Sequence, residues 1–464
     1  MTSASRLPDG FVVRLHDDVA VGKLLVRGSR FVRLSATARQ MLADRSLTVG
    51  SPMSAALAAQ LLDLDLARPE PGGDAPELED VTVVVPVRDN ALGVDRLLAR
   101  LAPHVVCVVV DDASVEHHEV ARVAERHGAT LVRLDRNVGP AAARDMGMRS
   151  VRTPLVAFVD SDVVVSASAL GLLAAHFADP GLAAAAPRIR SRGGRRWFER
   201  YEDACGSLDL GPVPATVRPW SPVAYVPSAC LVARVAALGD GFDPRLRSGE
   251  DVDLVWRLVD AGRRVHYAAE VEAAHDVRPS VVRWLGRKAF YGTSAVALAA
   301  RHRDKVAPAV LTPIGAAAVL GVLLQRRWSW LVAAGCAGLM TRDVARRLPE
   351  LTLAQQAGVV RTTGLALARQ TAGLALRHWW PVSVVLAAGS TRARRAVAVM
   401  AVAEGVTARR RSGTDLDPIR FTLARRADDL AYGAGVWWGA ARERSISCLL
   451  PRWLPSRPAS AGRP

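Results

Sequence analysis

The sequence predicts an α/β chain with a Rossmann-like, mostly parallel sheet at its centre. A small strand-plus-helix (α+β) module is expected ahead of the sheet and a helical region behind it. Three observations predict this. Between Val81 and Ser280, short β-branched runs such as "VTVVVPV", "VVCVVVDD" and "PLVAFVDSD" alternate with stretches of helical spacing. Strands that alternate with helices build a parallel sheet, and strands buried on both faces are almost wholly apolar. Before Val81, alternating apolar and polar residues surround turn signals, and "ARPEPGGDAPELED" (67–80) has the Pro, Gly and acid content of a linker. After Ser280 the chain turns rich in Ala, Leu and Arg. With 464 residues, several cores are expected. The boundaries fall at 1–75, 76–280 and 281–464.

In the first segment, "FVVRLHDDVAVGKLLVRGSRFVRLS" predicts short strands and hairpins. "SATARQMLAD" opens with a Ser at an N-cap position, and "SPMSAALAAQLLDL" continues in helical spacing. In the second segment the helices are "NALGVDRLLARLA", "VEHHEVARVAERHG" and the run after "RNVG". In the third, Val306 to Leu324 carries no charge, close to the roughly 20 residues that span a bilayer. A second apolar run follows at 328–341, beyond Gln325, Arg326 and Arg327. A tight spanning hairpin would carry those arginines to the far side, against the positive-inside tendency. A surface-lying pair and a buried helical hairpin stay open beside it.

The net charge of +16 is unevenly placed. Residues 281–464 hold 28 Lys and Arg against 9 Asp and Glu, whereas residues 1–280 hold 33 against 36. The basic part suits anionic lipid or nucleic acid, or is a solvated surface. The five cysteines are scattered with no C-x-x-C pair, which argues against a disulfide framework or a structural Cys-zinc site and suits a reducing compartment. The N-terminus has no apolar signal-like core. A cytoplasmic protein at the inner face of the cell membrane is expected.

The chemistry concentrates at strand ends, where ligands of open α/β sheets gather. Asp160 and Asp162 flank Ser161 directly after "LVAFV". Two such carboxylates cannot both stay unpaired away from water, and a divalent cation resolves the conflict. Oxygen ligands suit Mg²⁺ or Mn²⁺, which keep phosphate oxygens in their shell. Asp111 and Asp112 end another strand, fit to accept from a base or ribose, with helix capping by Asp112 or Ser114 as the plainer role. "RNVGPAAARDMGM" offers a helix N-terminus to an anion, with Arg144 as a fork donor or as one half of a surface Arg144–Asp145 pair. "SGEDVDLVWRLVDAG" starts a helix with Glu250 and Asp251; a carboxylate there answers the helix dipole or serves as a general base. His275 is structural or a metal ligand. No G-x-G-x-x-G follows the first strand, which disfavours a dinucleotide fold.

"VTVVVPVRDN", "VVVDDAS", "RNVGPAAARDMG", "FVDSD" and "GEDVDLVWRL", in this order, resemble family 2 glycosyltransferases of the GT-A fold. The resemblance covers roughly residues 80–280 and implies inverting transfer from a nucleotide-diphosphate sugar. It implies that Asp251 is the catalytic base and that Pro86, Arg88, Asp112, Arg144 and Asp160 line the nucleotide-sugar site. It also implies that Asp162 and His275 hold Mg²⁺ or Mn²⁺. Asp145 departs from the Asn common in the family. The Q-x-x-R-W motif of processive synthases is absent, since "QRRW" at 325–328 has the wrong spacing. "VVRLHDDVAVGKLLVRGSRFVRLSATARQMLAD" resembles winged-helix modules that recognise precursor peptides in ribosomal peptide maturation. Together the segments look similar to the mycofactocin-system glycosyltransferases. That implies glucose from UDP-glucose, moved in one or several units onto a peptide-derived acceptor, with membrane association through the C-terminal region and no nucleic acid. A lipid or polysaccharide acceptor is the alternative. Two further rivals are a nucleotidyltransferase, for which the Gly-rich phosphate loop is missing, and a non-enzymatic membrane- or nucleic-acid-binding protein using the basic region.

Overall fold

The computed structural model describes residues 6–22, 24–28, 30–42, 44–70, 72, 76–276 and 280–454. The chain forms two compact units. Unit 1 comprises Met1–Val19, Leu34–Arg195 and Cys205–Val277; unit 2 comprises Ala20–Arg33, Arg196–Ala204 and Arg278–Pro464. Residues expected as one N-terminal module therefore contribute to both.

The N-terminal elements are β1 (Val12–Leu15), β2 (Leu24–Arg27), β3 (Arg30–Arg33), α1 (Ala36–Met41), β4 (Ser46–Thr48), α2 (Pro52–Asp63) and β5 (Ala67–Glu70). Ser35 caps α1, and Ser51 caps α2 with Pro52 in its first turn, as their types dictate. Within unit 1, β1 pairs antiparallel with β4 and β5. The first four residues of the expected linker are thus a strand. Their alternation is too short to read, and the pairing with β1 decides it; residues 71 and 73–75 lie outside the described residues. The turn after α2 ties this small sheet to the larger one: Thr216 N donates to Asp65 Oδ1 and Thr216 Oγ1 to Leu62 O, both at 2.8 Å.

The larger sheet is built from β6 (Val81–Val87), α3 (Ala91–Leu101), β7 (Val106–Asp111), α4 (His117–Arg126), β8 (Thr130–Arg133), α5 (Pro140–Met148) and β9 (Leu155–Val159). It continues through β10 (Val163–Val164), α6 (Ala167–Ala175), β11 (Leu182–Ser191), β12 (Ala215–Thr216), β13 (Cys230–Arg234), α8 (Glu250–Asp260) and β14 (Arg264–His275), while α7 (Trp197–Cys205), which follows β11 in the chain, belongs to unit 2 save for Cys205. The strand order is β10-β14-β11-β13-β9-β6-β7-β8, with β12 on β14. Strands β9, β6, β7 and β8 are parallel neighbours, whereas β13 and β10 run antiparallel to theirs. Val83, Val85, Leu97, Val109, Leu155 and Val159 are fully buried in its core. Pro86 lies past the last β6 residue paired to β9, so its missing N–H leaves no β9 partner unmatched. Gly147 of α5 lets the helix touch the sheet, because a Cβ there would lie 2.4 Å from Val84 Cγ1.

Unit 2 holds α9 (Val281–His302), β15 (Val310–Leu311), α10 (Pro313–Leu324), α11 (Arg327–Arg347), α12 (Leu353–Gly373), α13 (Trp380–Gly389), α14 (Thr391–Ser412), α15 (Pro418–Arg442) and β16 (Arg452–Trp453). Helices α9 and α15 pack backbone to backbone: a Cβ on Gly435 would lie 1.8 Å from Ala289 O. The uncharged run 306–324 is not one long helix. Val310 and Leu311 pair with β16, Thr312 caps, and α10 has 12 residues, about 18 Å at 1.5 Å per residue. That is short of the roughly 30 Å of a bilayer core. Among the described residues no helix is long and apolar enough to cross a membrane.

Candidate active site at the strand ends

The site is assembled in unit 1 where β6, β7 and β9 run out. After β9 the chain turns sharply: Asp160 N donates to Ala229 O and Val163 N returns to Asp160 O, both at 2.9 Å. Asn90, the cap of α3, donates from Nδ2 to Ser161 O at 3.1 Å and to Ser161 Oγ at 3.2 Å. Gly93 follows in α3 because a Cβ there would lie 2.1 Å from Ser161 O. The D-S-D loop is therefore seated on the start of α3, which orients both carboxylates.

Asp162 and His275 meet across the antiparallel pair of β10 and β14. Val163 faces His275 in register, and Asp276 N donates to Asp162 O at 3.0 Å. His275 Nε2 lies 3.3 Å from Asp162 Oδ2. Two atoms each about 2.1 Å from one cation lie about 3 Å apart, so this pair fits a divalent ion. An oxygen and an imidazole nitrogen suit Mn²⁺ or Mg²⁺, with positions left for phosphate oxygens. Arg96 and Arg192 hold Asp276 beside it.

Arg144 is the hub. It is 2% exposed, donates from Nη2 to Asp160 Oδ1 at 2.6 Å and from Nη1 to Glu250 Oε1 at 2.9 Å, and lies over the Phe242 ring. It is neither a surface residue nor a free fork for phosphate. Burial works against its charge, and the two carboxylates more than reverse that. Burial raises the Asp160 carboxyl, Arg144 pulls it back, and Asp162 pushes it up again. Through Arg144, the D-S-D loop and the start of α8 share one guanidinium. Asp145 beside it holds the loop before α8, accepting from Phe242 N at 3.0 Å.

Asp251 stands in the first turn of α8, after Gly249 in the left-handed region at φ 79°. Its Oδ1 accepts from Val252 N at 2.8 Å, and Ser228 N lies 3.4 Å from Oδ2. Burial and the negative charge of Glu250 push its carboxyl up to about 7. A base poised near neutrality is what proton removal from a hydroxyl requires.

The second acidic pair does different work. Asp112 accepts from Val138 N at 2.7 Å and Gly139 N at 2.9 Å, so both its oxygens hold the "RNVG" turn before α5. Asp111 Oδ1 accepts from Ser114 N at 2.9 Å, while its buried Oδ2 has no partner. Neither Asp112 nor Ser114 caps α4, whose cap position is Glu116. Ser114 Oγ instead accepts from Asp89 N at 2.9 Å, and Asp89 Oδ1 from Val115 N at 2.8 Å, which laces the β6 and β7 loops together. Between them Ala113 is held at φ 56°, a left-handed conformation that costs a non-glycine residue about 1–2 kcal/mol. Arg88 is exposed, 3.5 Å from Asp89. Asn90, Gly93, Asp89 and the Glu250 bond are contributions that sequence reasoning missed. Only Asn90, an N-cap type ahead of a helical run, carried a readable signal.

The sheet and its acidic rim define a class of protein, and residues 82–237 match that class by sequence, as Glycosyl transferase family 2. A pre-mycofactocin glycosyltransferase of Mycobacterium tuberculosis is 42% identical over 473 residues, covering 97% of this chain and 99% of the relative. An uncharacterized glycosyltransferase of the same species is 31% identical over 187 residues, 40% of this chain and 81% of the relative. Among solved structures, a mannosyltransferase from Pyrobaculum calidifontis in complex with GDP-Man and Mn²⁺ is 20% identical, with a TM-score of 0.39 over 66% of this chain and 89% of that one. The chain belongs to glycosyl transferase family 2 and is a glycosyltransferase with a GT-A-type sheet. The nucleotidyltransferase and non-enzyme readings fall with that result.

Proposed function

We propose that this chain is an inverting hexosyltransferase that moves glucose from UDP-glucose onto a hydroxyl of a peptide-derived redox-cofactor precursor. The observation that carries the chemistry is the placement of Asp251 in the first turn of α8, beside the Glu250 that shares Arg144 with Asp160, where burial and Glu250 push its carboxyl up. Asp251 takes the proton of the acceptor hydroxyl. The hydroxyl oxygen attacks the anomeric carbon as the bond to the diphosphate oxygen breaks, and one displacement inverts that carbon. Asp162 and His275 would hold Mg²⁺ or Mn²⁺, whose charge would stabilise the leaving diphosphate. Arg144 positions Asp160 and Glu250, and Asp112 holds the turn at the start of α5.

The acceptor assignment is supported by the 42% identity to the pre-mycofactocin glycosyltransferase along nearly its whole length. The strands and helices of residues 1–75 are assigned to peptide recognition. The test is release of nucleoside diphosphate from a panel of nucleotide sugars, with Mn²⁺, Mg²⁺ or chelator, with and without the acceptor peptide. UDP-glucose turnover that depends on the peptide supports the proposal; preference for a lipid acceptor would replace it. Asp162→Ala should make donor binding indifferent to chelator.

A specific observation favours attachment of unit 2 to an anionic membrane face. Trp328, Trp330, Leu331, Val385 and Val402 are exposed on α11, α13 and α14, among exposed arginines such as Arg392 and Arg395. Apolar side chains beside basic ones suit a surface-lying mode without crossing. Sedimentation with phosphatidylglycerol vesicles but not with phosphatidylcholine vesicles is expected. Equal recovery with both would remove the anionic preference.

A further inference from the structure

We propose that His176, His266 and Glu270 form a second metal site, for Zn²⁺ or a similar transition ion, at the opposite end of β14 from the proposed diphosphate-gripping pair. One ligand atom from each of the three lies within 4.8 Å of the others. His176 follows α6, and its Nε2 already stands 3.6 Å from Glu270 Oε1. The two imidazole centroids are 4.9 Å apart. A tetrahedral ion about 2.0–2.1 Å from each ligand sets the ligands about 3.4 Å apart, which side-chain rotation can close. Two nitrogens and one carboxylate oxygen form a donor set typical of zinc with an open fourth position.

Two independent observations point to a ligand. Both imidazoles are more than nine-tenths buried, and each keeps a ring nitrogen with no partner: Nδ1 of His176 and Nε2 of His266. A buried polar atom left unmatched costs about 1–3 kcal/mol. On His176 the unmatched atom is Nδ1, while Nε2 faces Glu270. Burial pushes His176 down to about 4 and His266 well below its ordinary value, so both rings are neutral and carry a lone pair at pH 7. The second observation is the backbone. The register of β14 on β11 jumps from Ala268 opposite Pro187 to Glu272 opposite Arg188, which leaves residues 269–271 unpaired. Bulges of this kind re-aim side chains, and Glu270 sits in the middle of this one. Arg68 brings a positive charge nearby, which Glu270 offsets.

The location gives the ion a task. His266 faces Thr216 in register, and Thr216 is where the turn after α2 ties the small N-terminal sheet to the large one. His275 lies nine residues beyond His266 and five beyond Glu270 on β14, at most about 30 Å and about 17 Å at 3.3 Å per residue. The site is thus separate from Asp162 and His275, and softer in its donors.

The whole protein, stripped with chelator and dialysed, would be titrated with Zn²⁺ against a chromophoric chelator and followed by thermal melting. One tightly held equivalent is expected in the wild type and in an Asp162→Ala/His275→Ala double variant, with a rise in Tm. That equivalent and that rise should vanish in His176→Gln and His266→Gln. Should those variants fail to fold, the surface change Glu270→Gln is expected to weaken Zn²⁺ at least tenfold. Absence of a tight equivalent in the wild type, or its loss in the Asp162/His275 variant alone, overturns the proposal. The double variant also separates this site from the catalytic reading, which it disables without touching His176.

Discussion

Each unit buries a knot of acids and cations, and the balance within the two knots is opposite. In unit 1, Asp160 and Glu250 share the single guanidinium of Arg144, and Asp251 stands next to them bonded to backbone N–H alone. Its carboxyl is driven up to about 7 by burial and by Glu250. In unit 2, Asp428 meets Lys288, Arg377 and the Tyr201 hydroxyl, while Glu404 meets Arg425 and Arg426. Burial alone would raise Asp428 and Glu404, yet their cations outweigh it and hold both below the ordinary range. Asp429, in the same knot, is raised because burial outweighs its cations there. The difference separates two uses of buried charge. Acids in excess over cations leave a carboxyl ready to take a proton, whereas acids matched by cations lock helices together.

The largest expected effect is at Asp251. Asp251→Asn should lower kcat about 10²–10⁴-fold while donor affinity, read by calorimetry, is kept. Unchanged turnover would remove the base from the first knot and collapse the contrast. Next is Asp428→Ala, which takes one acid from each of Lys288 and Arg377 while Glu202 and Asp429 stay beside them. Leaving a buried charge with no acid at all costs about 3–5 kcal/mol, so a smaller loss is expected here, visible as a drop in Tm with turnover per folded molecule preserved.

The pH profile distinguishes the knots more gently. Asp251 works only when ionised and its carboxyl is raised to about 7, so the rate should fall about tenfold per pH unit below 7. For stability the sign is reversed: a raised folded value means ionisation opposes folding, so this residue's cost appears as pH rises from about 4 through 7. Asp428, held low, contributes stability that is present above the ordinary carboxylate range and lost in acid. A rate flat between pH 5 and 8 would contradict the first assignment. The smallest effect calibrates the others. Ser51→Ala, in neither knot, removes the cap of α2 and should cost about 0.5–2 kcal/mol in denaturant melts with activity intact.

Much of this was readable in the chain. The apolar runs at 81–87, 106–111 and 155–159 became parallel strands, because a two-sided sheet admits little else. Ser35, Ser51 and Asn90 marked helix starts through local hydrogen bonding. Asp162 and His275, 113 positions apart, lie 3.3 Å apart, a proximity that the family resemblance implied and no local pattern did. Other roles were not legible. Arg144, expected as a fork donor or a surface residue, is a buried hub, and Asp112 also holds the turn before α5. The apolar run 306–324 read as one candidate span and is a short strand and a 12-residue helix.

The sequence by itself determined the alternation of strand and helix, the caps, the acidic strand ends and the basic C-terminal third. These follow from periodicity and from bonds that close within about four residues. The tertiary structure alone decided which carboxylate meets which cation, and therefore which acid stays charged and which is left to take a proton. That outcome depends on burial and on partners 16 to 227 residues away, where no local pattern reaches.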